Sequence, residues 1–250
     1  MTVGPLLRTW RTKRRLSQLD LALDAGVSTR HLSFVETGRS RPSQQMILHL
    51  AERLDIPLRE RNRLLLAAGY APVYSQRPVE ELGPVKDALD QLLRGHEPFP
   101  AIVVDRGWNV VAANRAIPML TAGAAPHLLE PPVNALRLTL HPEGMAPRIV
   151  NLGQWRAHLL RDLQVQAQSD DDLKALLEEL EGYPGPAGEP GEHEVFVPLK
   201  IRGPQEVTLT FLSTRTSFNT ALDVTVSELA IESFFPADET TAKAVQDASR

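Results

Sequence analysis

The chain has 250 residues, no cysteine and a formal charge of −4 at pH 7. Its length suits one or two domains with buried cores, and the missing cysteines exclude disulfides and thiolate metal sites and fit a reducing compartment. No apolar run approaches the ~20 residues a membrane helix needs, and the opening MTVGPLLRTWRTKRR lacks a signal peptide's apolar core, so a cytoplasmic protein with no membrane partner is expected.

Residues 1–70 carry 12 Lys and Arg against 6 Asp and Glu, whereas residues 71–250 carry 15 against 25. A basic N-terminal segment is thus joined to an acidic remainder, which fits nucleic acid at one end and equally fits an Arg-rich solvated surface. The first helix is expected over residues 3–14, with Leu6, Leu7 and Trp10 inward and Arg8, Arg11, Lys13 and Arg14 exposed. Ser17 caps a second helix with Leu21, Ala22 and Ala25 inward, the small Ala22 admitting a close crossing. Gly26 supplies the left-handed conformation that ends it, and Ser28 caps a third helix that buries Leu32 and Val35 and exposes Thr29, Arg30 and Ser33. Gly38 closes this helix, with Arg39 and Arg41 at its exit. Two short helices about one glycine form the helix-turn-helix layout, whose second helix brings its N-terminal residues to base edges in the major groove. Ser43 caps a fourth helix burying Ile47, Leu50, Ala51 and Leu54, and LRERNRLLLAAG supplies a fifth, closed by Gly69. His49, alone on its helix, reads as a surface or packing residue rather than a ligand.

Residues 1–72 resemble the lambda-repressor/Cro (XRE-type) DNA-binding domain. The resemblance rests on Gln18 opening the second helix, on Ala22, Gly26, Ser28, Leu32 and Val35, and on ETG followed by basic residues and Pro42. It implies an all-α, five-helix domain with double-stranded operator DNA as partner. Gln18 and Ser28 would then meet phosphate, Thr29, Arg30 and Ser33 would read bases, and Arg39 and Arg41 would hold backbone phosphates. The chemistry agrees, since Arg grips guanine O6 and N7 in a fork and phosphate favours helix N-termini and cations. A buried Arg11–Glu36 pair is also implied, structural rather than base-reading, tying down the end of the recognition helix.

Pro72, Pro78 and Pro84 mark a linker over residues 73–84. The second domain is expected over 85–238. It opens with a helix over 85–93 and strands over 101–105 and 108–112 joined by a turn at Arg106–Gly107, after which Asn114 opens a helix. That succession is the opening of a PAS-like sensor domain. Trp155, Leu159 and Leu163 repeat every four residues, and Ser169 with the acidic first turn at 170–172 precedes Leu173, Leu176, Leu177 and Leu180. After a Gly/Pro-rich loop, Val195, Val197, Leu199 and Ile201 alternate along a strand. Val207, Leu209 and Phe211 follow the RGPQ turn, and Leu229, Ile231 and Phe235 mark a last strand. This predicts an α+β domain with an antiparallel sheet and a polar, frayed tail over 239–250.

The arrangement, with the join RERNRLLLAAGYAP, resembles XRE-type regulators carrying a C-terminal MmyB-like ligand-binding domain, over nearly the whole chain to about Asp238. That resemblance implies a PAS-like fold and a fatty acid or similar apolar acyl ligand. In NALRLTLHPEG, Arg137 and His141 adjoin apolar Leu136, Leu138 and Leu140, which suits an acyl carboxylate beside a greasy tunnel; alternatively both point to solvent. Trp108, Trp155, Phe196, Phe211 and Phe218 read as core, with one or two of them lining a pocket; Trp108, Trp155 and Phe211 are the candidates.

Histidines 96, 127, 141, 158 and 193 show no HxH or HExxH spacing, and GxSxG, P-loop and GxGxxG motifs are missing, so neither an enzyme nor a metal site is expected. The aspartates at 170–172 fit a helix first turn better than a ligand set. The sequence therefore reads as a one-component transcriptional regulator that binds DNA through its N-terminal domain. Its C-terminal domain would sense a small apolar molecule and form a homodimer, with no resident cofactor. The alternative is a second domain that only dimerises or recruits a protein partner.

Overall fold

The structure, a computed structural model, describes residues 2–168, 170–188, 196–203, 206–218 and 221–249. It divides into two units, Met1–Pro78 with Asn219–Ser227, and Val79–Phe218 with Glu228–Arg250.

The first unit begins with five helices, α1 (Val3–Lys13), α2 (Gln18–Asp24), α3 (Thr29–Glu36), α4 (Gln44–Arg53) and α5 (Leu58–Ala67). Ser17, Ser28 and Ser43 each accept a bond from a backbone N–H three residues on, satisfying a donor the helix cannot use, and Asp20 completes a capping box with Ser17. The inward faces meet in one core that includes Leu7, Leu21, Leu32, Ile47, Leu50 and Leu64. Fully burying each such side chain stabilises the fold by about 1.5–3 kcal/mol. A Cβ on Gly4 would lie 2.4 Å from the Val35 carbonyl oxygen, so glycine is what lets α1 close on the end of α3.

In the second unit, α6 (Gly83–His96) precedes β1 (Ala101–Val104) and β2 (Val110–Ala113). Then come α7 (Ile117–Thr121), α8 (Ala135–Leu140), α9 (Leu152–Ala167), α10 (Asp171–Glu181), β3 (Leu199–Arg202) and β4 (Thr208–Ser217). Between β4 and the next strand the chain visits the first unit, where α11 (Val224–Ser227) lies; β5 (Ala230–Pro236) and α12 (Glu239–Ala248) complete the fold. Among the described residues the strands form one antiparallel sheet in the order β2-β1-β5-β4-β3. One face packs Ala101, Val103 and Ile231 against Leu89 and Leu93 of α6. The other turns Ile102 and Val104 toward α8, α9 and α10, and Leu209 and Phe211 toward Trp155. This second face carries the cavity described below.

Four expectations change. The tail is a helix: Val245 of α12 is buried, and the Thr241 hydroxyl accepts from the Thr210 N–H of β4. Asn114 opens no helix, because α7 starts only at Ile117; its buried amide instead accepts from Ala101 N and donates to the Leu93 and Phe99 carbonyls. Part of the expected linker is fixed to the first unit, where the Asn62 side chain binds both N–H and C=O of Tyr74. The domain expected over 85–238 is interrupted within that unit by residues 221–227, where Asp223 accepts from the Ser75 hydroxyl at 2.7 Å and pairs with Arg77 at 3.5 Å. Ser169, Val195 and the Pro204–Gln205 part of the RGPQ turn lie outside the described residues; the cap of α10 is Asp170.

Candidate functional site

The helix-turn-helix runs through α2, a four-residue turn and α3. Gly26 has φ +63° at the turn, and Val27 N–H bonds back to the Ala22 carbonyl at 2.9 Å. This satisfies one of α2's terminal carbonyls and aims α3 away at once, which is why the helix breaks and restarts around one glycine. Leu32 and Val35 are buried, Arg30 is exposed, and Thr29 and Ser33 are half-buried on the same outer side. The Arg30 and Arg39 guanidiniums lie 5.4 and 6.0 Å from the centroid of the Phe34 ring, so one aromatic ring steadies a cation near the start of α3 and another just beyond its end.

The expected Arg11–Glu36 pair is present as a two-pronged contact at 2.6 and 2.9 Å, with both side chains largely buried. Burial pushes the Glu36 carboxyl upward, but hydrogen bonds from Arg11 and Gln18 outweigh it and hold the group below the usual carboxylate range. Gln18, read as a phosphate contact, thus has its amide turned inward, 2.7 Å from Glu36. Arg41 donates to the Ala68 carbonyl at 2.8 Å and lies over Tyr70, closing the end of α5.

In the second unit a cavity of about 460 Å³ lies between the sheet and α7, α8 and α9, within the range of small-molecule sites. Its wall is mainly apolar, with Trp108, Leu136, Leu138, Trp155 and Phe234 among its residues. The sheet register explains the polar part. Arg215, Glu232, Ile102 and Ala113 stand opposite one another across β4, β5, β1 and β2, so all four face the same side, and all four line the cavity. Ser213 donates to Glu232 at 3.2 Å, Arg215 Nε stands 3.5 Å from the other carboxyl oxygen, and α9 adds His158 and Asp162. Burial pushes the Glu232 carboxyl up; Arg215 and Ser213 oppose this, while Asp162 adds to it, and the net effect is a raised pKa.

Trp108 reaches the wall through a left-handed backbone with φ +64°, a conformation costing about 1–2 kcal/mol for a bulky side chain. The turn enforces it: Trp108 N–H bonds to the Asp105 carbonyl, its carbonyl accepts from Ala135 N–H, and Asn134 donates to Gly107 O. The indole N–H then reaches Gln166 at 3.2 Å, and Arg215 stacks 4.4 Å from the ring centroid. The buried indole nitrogen of Trp155 has no hydrogen-bond partner among the described residues.

Of the ligand residues expected from sequence, Trp108 and Trp155 line the cavity, and Phe211 lies fully buried in the adjoining core. Phe218 packs against the α6 cluster, while Phe196 is exposed. Arg137 and His141 are not on the cavity wall. Arg137 forks onto Glu179, which also accepts from the Tyr183 hydroxyl, and the His141 ring meets Tyr183 edge-on at 5.0 Å. Arg215, Glu232 and Ser213 were missed because alternating polar residues on a strand read as a solvent face. His127, His141 and Glu143 gather donor atoms within 4.8 Å at the surface, a grouping invisible to spacing rules; His141 Nδ1 already accepts from the Glu143 N–H. No helix among the described residues is long and apolar enough to cross a membrane.

A helix-turn-helix unit joined to an α+β unit with an apolar cavity defines a DNA-binding transcription regulator with a ligand-binding domain. Residues 7–61 match the helix-turn-helix family, and residues 85–248 match the MmyB-like transcription regulator ligand binding domain, so the chain belongs to the MmyB-like transcription regulators. No curated protein matches it.

Proposed function

We propose that this regulator senses a small apolar ligand of the fatty-acid class and acts in the cytoplasm as a homodimer on a two-fold operator. The observation that carries the ligand reading is the 460 Å³ apolar cavity with its polar groups gathered on two strands and one helix. An acyl chain would lie along Leu136, Leu138 and Phe234, with the carboxylate at Arg215; Arg137 and His141 are engaged elsewhere. The β1–β2 hairpin at one side of the sheet and the return of β5 to its centre support the PAS-like reading. On the DNA side, the outward placement of Thr29, Arg30 and Ser33 supports base reading, with Ser28 at the helix N-terminus and Arg39 beside the groove. One such module makes few base contacts, and pairing two at half-sites about 34 Å apart multiplies specificity.

The ligand shifts operator affinity only if it favours one of two states of the protein, and operator DNA then shifts ligand affinity by the same factor. Mass spectrometry of gently purified protein should show a copurifying fatty acid. Titrating dodecanoic acid into the protein on its selected operator should change DNA affinity. A protein with no bound lipid, whose DNA affinity fatty acids leave unchanged, would instead be one whose second unit only dimerises or recruits a partner.

A further inference from the structure

The carboxylate of Glu232 stands in the wall of an apolar cavity, where an acyl ligand's own carboxylate has to arrive. We propose, building on the fatty-acid reading, that Glu232 is a proton-bearing part of the head-group site: the ligand carboxylate is received at Arg215, and one proton taken from solvent is held between it and Glu232.

The geometry forces the issue. Arg215 rests over the Trp108 ring, and its Nε stands 3.5 Å from Glu232, longer than a good hydrogen bond. The guanidinium is therefore placed to turn toward a second carboxylate without leaving the wall. The charges facing Glu232 are Arg215 from β4 and Asp162 from α9; His158, one turn before Asp162 and 3.9 Å from it, is positive only when protonated. Ser213 adds a neutral donor. With both acids ionised and His158 neutral, the polar patch already carries one net negative charge before a ligand arrives. A second carboxylate on the same guanidinium would make two, in a setting that screens charge poorly. Two carboxyl groups so placed share a proton, as paired acids do in hydrolase dyads. The raised pKa of Glu232 in the empty protein points the same way and leaves it readier to take that proton.

The sign follows from linkage. Ligand binding raises the Glu232 pKa further, so protons are taken up between its value in the empty and in the filled protein, and affinity falls as pH rises through that window. The slope approaches tenfold per pH unit. A neutral apolar ligand such as dodecanol brings no second carboxylate and should bind with little pH dependence.

Calorimetric titration of dodecanoic acid into the full-length protein, from pH 5.5 to 8.5 and in buffers of different ionisation enthalpy, reads the proton directly. The expected result is uptake approaching one proton per ligand within the window. In Glu232→Gln, which keeps the shape and an acceptor for Ser213, the pH slope should fall well below that of wild type, and affinity should exceed wild type at the alkaline end of the range. Asp162→Asn should move the window to lower pH. Dodecanoic acid bound without proton uptake, or with the same pH slope in Glu232→Gln, overturns the assignment and leaves the fatty-acid reading standing. Failure of the folded protein to bind dodecanoic acid at any pH removes that reading and this inference together.

Discussion

The two units assemble their candidate sites in opposite ways. In the first, the turn and recognition helix occupy one short stretch, and the groups that hold α3, such as Ser28, Gly26 and Glu36, belong to the same stretch. In the second, the cavity draws its wall from Ile102 to Phe234, and its polar patch exists only because Arg215 and Glu232 are paired in register across two strands. Local capping and periodicity write the first kind of site into the sequence. The second kind depends on register and on which helix covers which face, which are tertiary facts.

If the first site rests on a rigid local frame, removing the clamp under α3 should have the largest effect. Glu36→Ala leaves Arg11 buried without its carboxylate, and breaking a buried pair from one side costs about 3–5 kcal/mol. Urea unfolding of the full-length protein should show that loss in the transition of the N-terminal unit, with the C-terminal transition unmoved. The folded-state pKa of Glu36 is depressed, so the pair's contribution is present above the ordinary carboxylate range and is lost as pH falls through the lowered value. Glu36→Gln should remove that acid sensitivity. An unchanged midpoint in Glu36→Ala would mean that the frame is not where α3 gets its rigidity.

Arg30→Ala tests the reading face itself. Because the side chain is exposed and rests on Phe34, its loss should cost about 1–3 kcal/mol of operator affinity at one base pair and relax specificity there, with folding stability little changed. Arg41→Ala should weaken all DNA sequences alike and lower the salt slope by about one unit. Its bond to the Ala68 carbonyl adds a small loss of stability that Arg30→Ala lacks. Fluorescence anisotropy against matched and mismatched operators at several salt concentrations separates the two patterns.

The cavity is broken by filling it. Thr139 lines it from α8, and Thr139→Phe adds bulk where space exists, so ligand affinity should fall at least tenfold, about 1.4 kcal/mol, while the melting temperature holds or rises. DNA affinity without ligand should be unaltered. Lowered stability with undiminished ligand binding would show that the space is not where the ligand sits.

These contrasts also explain which features could be read in advance. Ser17, Ser28 and Ser43 were legible because a cap is a local donor–acceptor fact, and the β1–β2 turn was legible at Arg106–Gly107 for the same reason. Helix α12 was not, since only Thr241 and Val245 of its residues are buried and the segment reads as polar. The tie between Ser75 and Asp223 spans 148 positions and leaves no pattern in either neighbourhood. Ser213 and Arg215 follow Phe211 on the same side of β4, and the switch from apolar to polar along one face looks like a strand leaving the core when it is in fact a strand entering a cavity wall.

The smallest expected effect bears most directly on the contrast between local and assembled sites. Arg137 is the residue that local reading selects for a ligand carboxylate, because it is cationic and flanked by leucines on one short helix. In the structure it is bound to Glu179 at 2.7 Å with 43% of its side chain exposed and that of Glu179 at 37%, and Tyr183 holds Glu179 from the other side. An exposed pair of this kind contributes about 0–1 kcal/mol. Arg137→Ala should therefore lower stability by less than 1 kcal/mol and change dodecanoic acid affinity by less than twofold, whereas Arg215→Met should weaken the same ligand about tenfold or more. Measured side by side by calorimetry at pH 6, the two variants rank the sites. Should Arg137→Ala be the one that loses the ligand, the head group sits where the local pattern put it, and the register-built patch at Arg215 and Glu232 is only a satisfied ion pair in the wall.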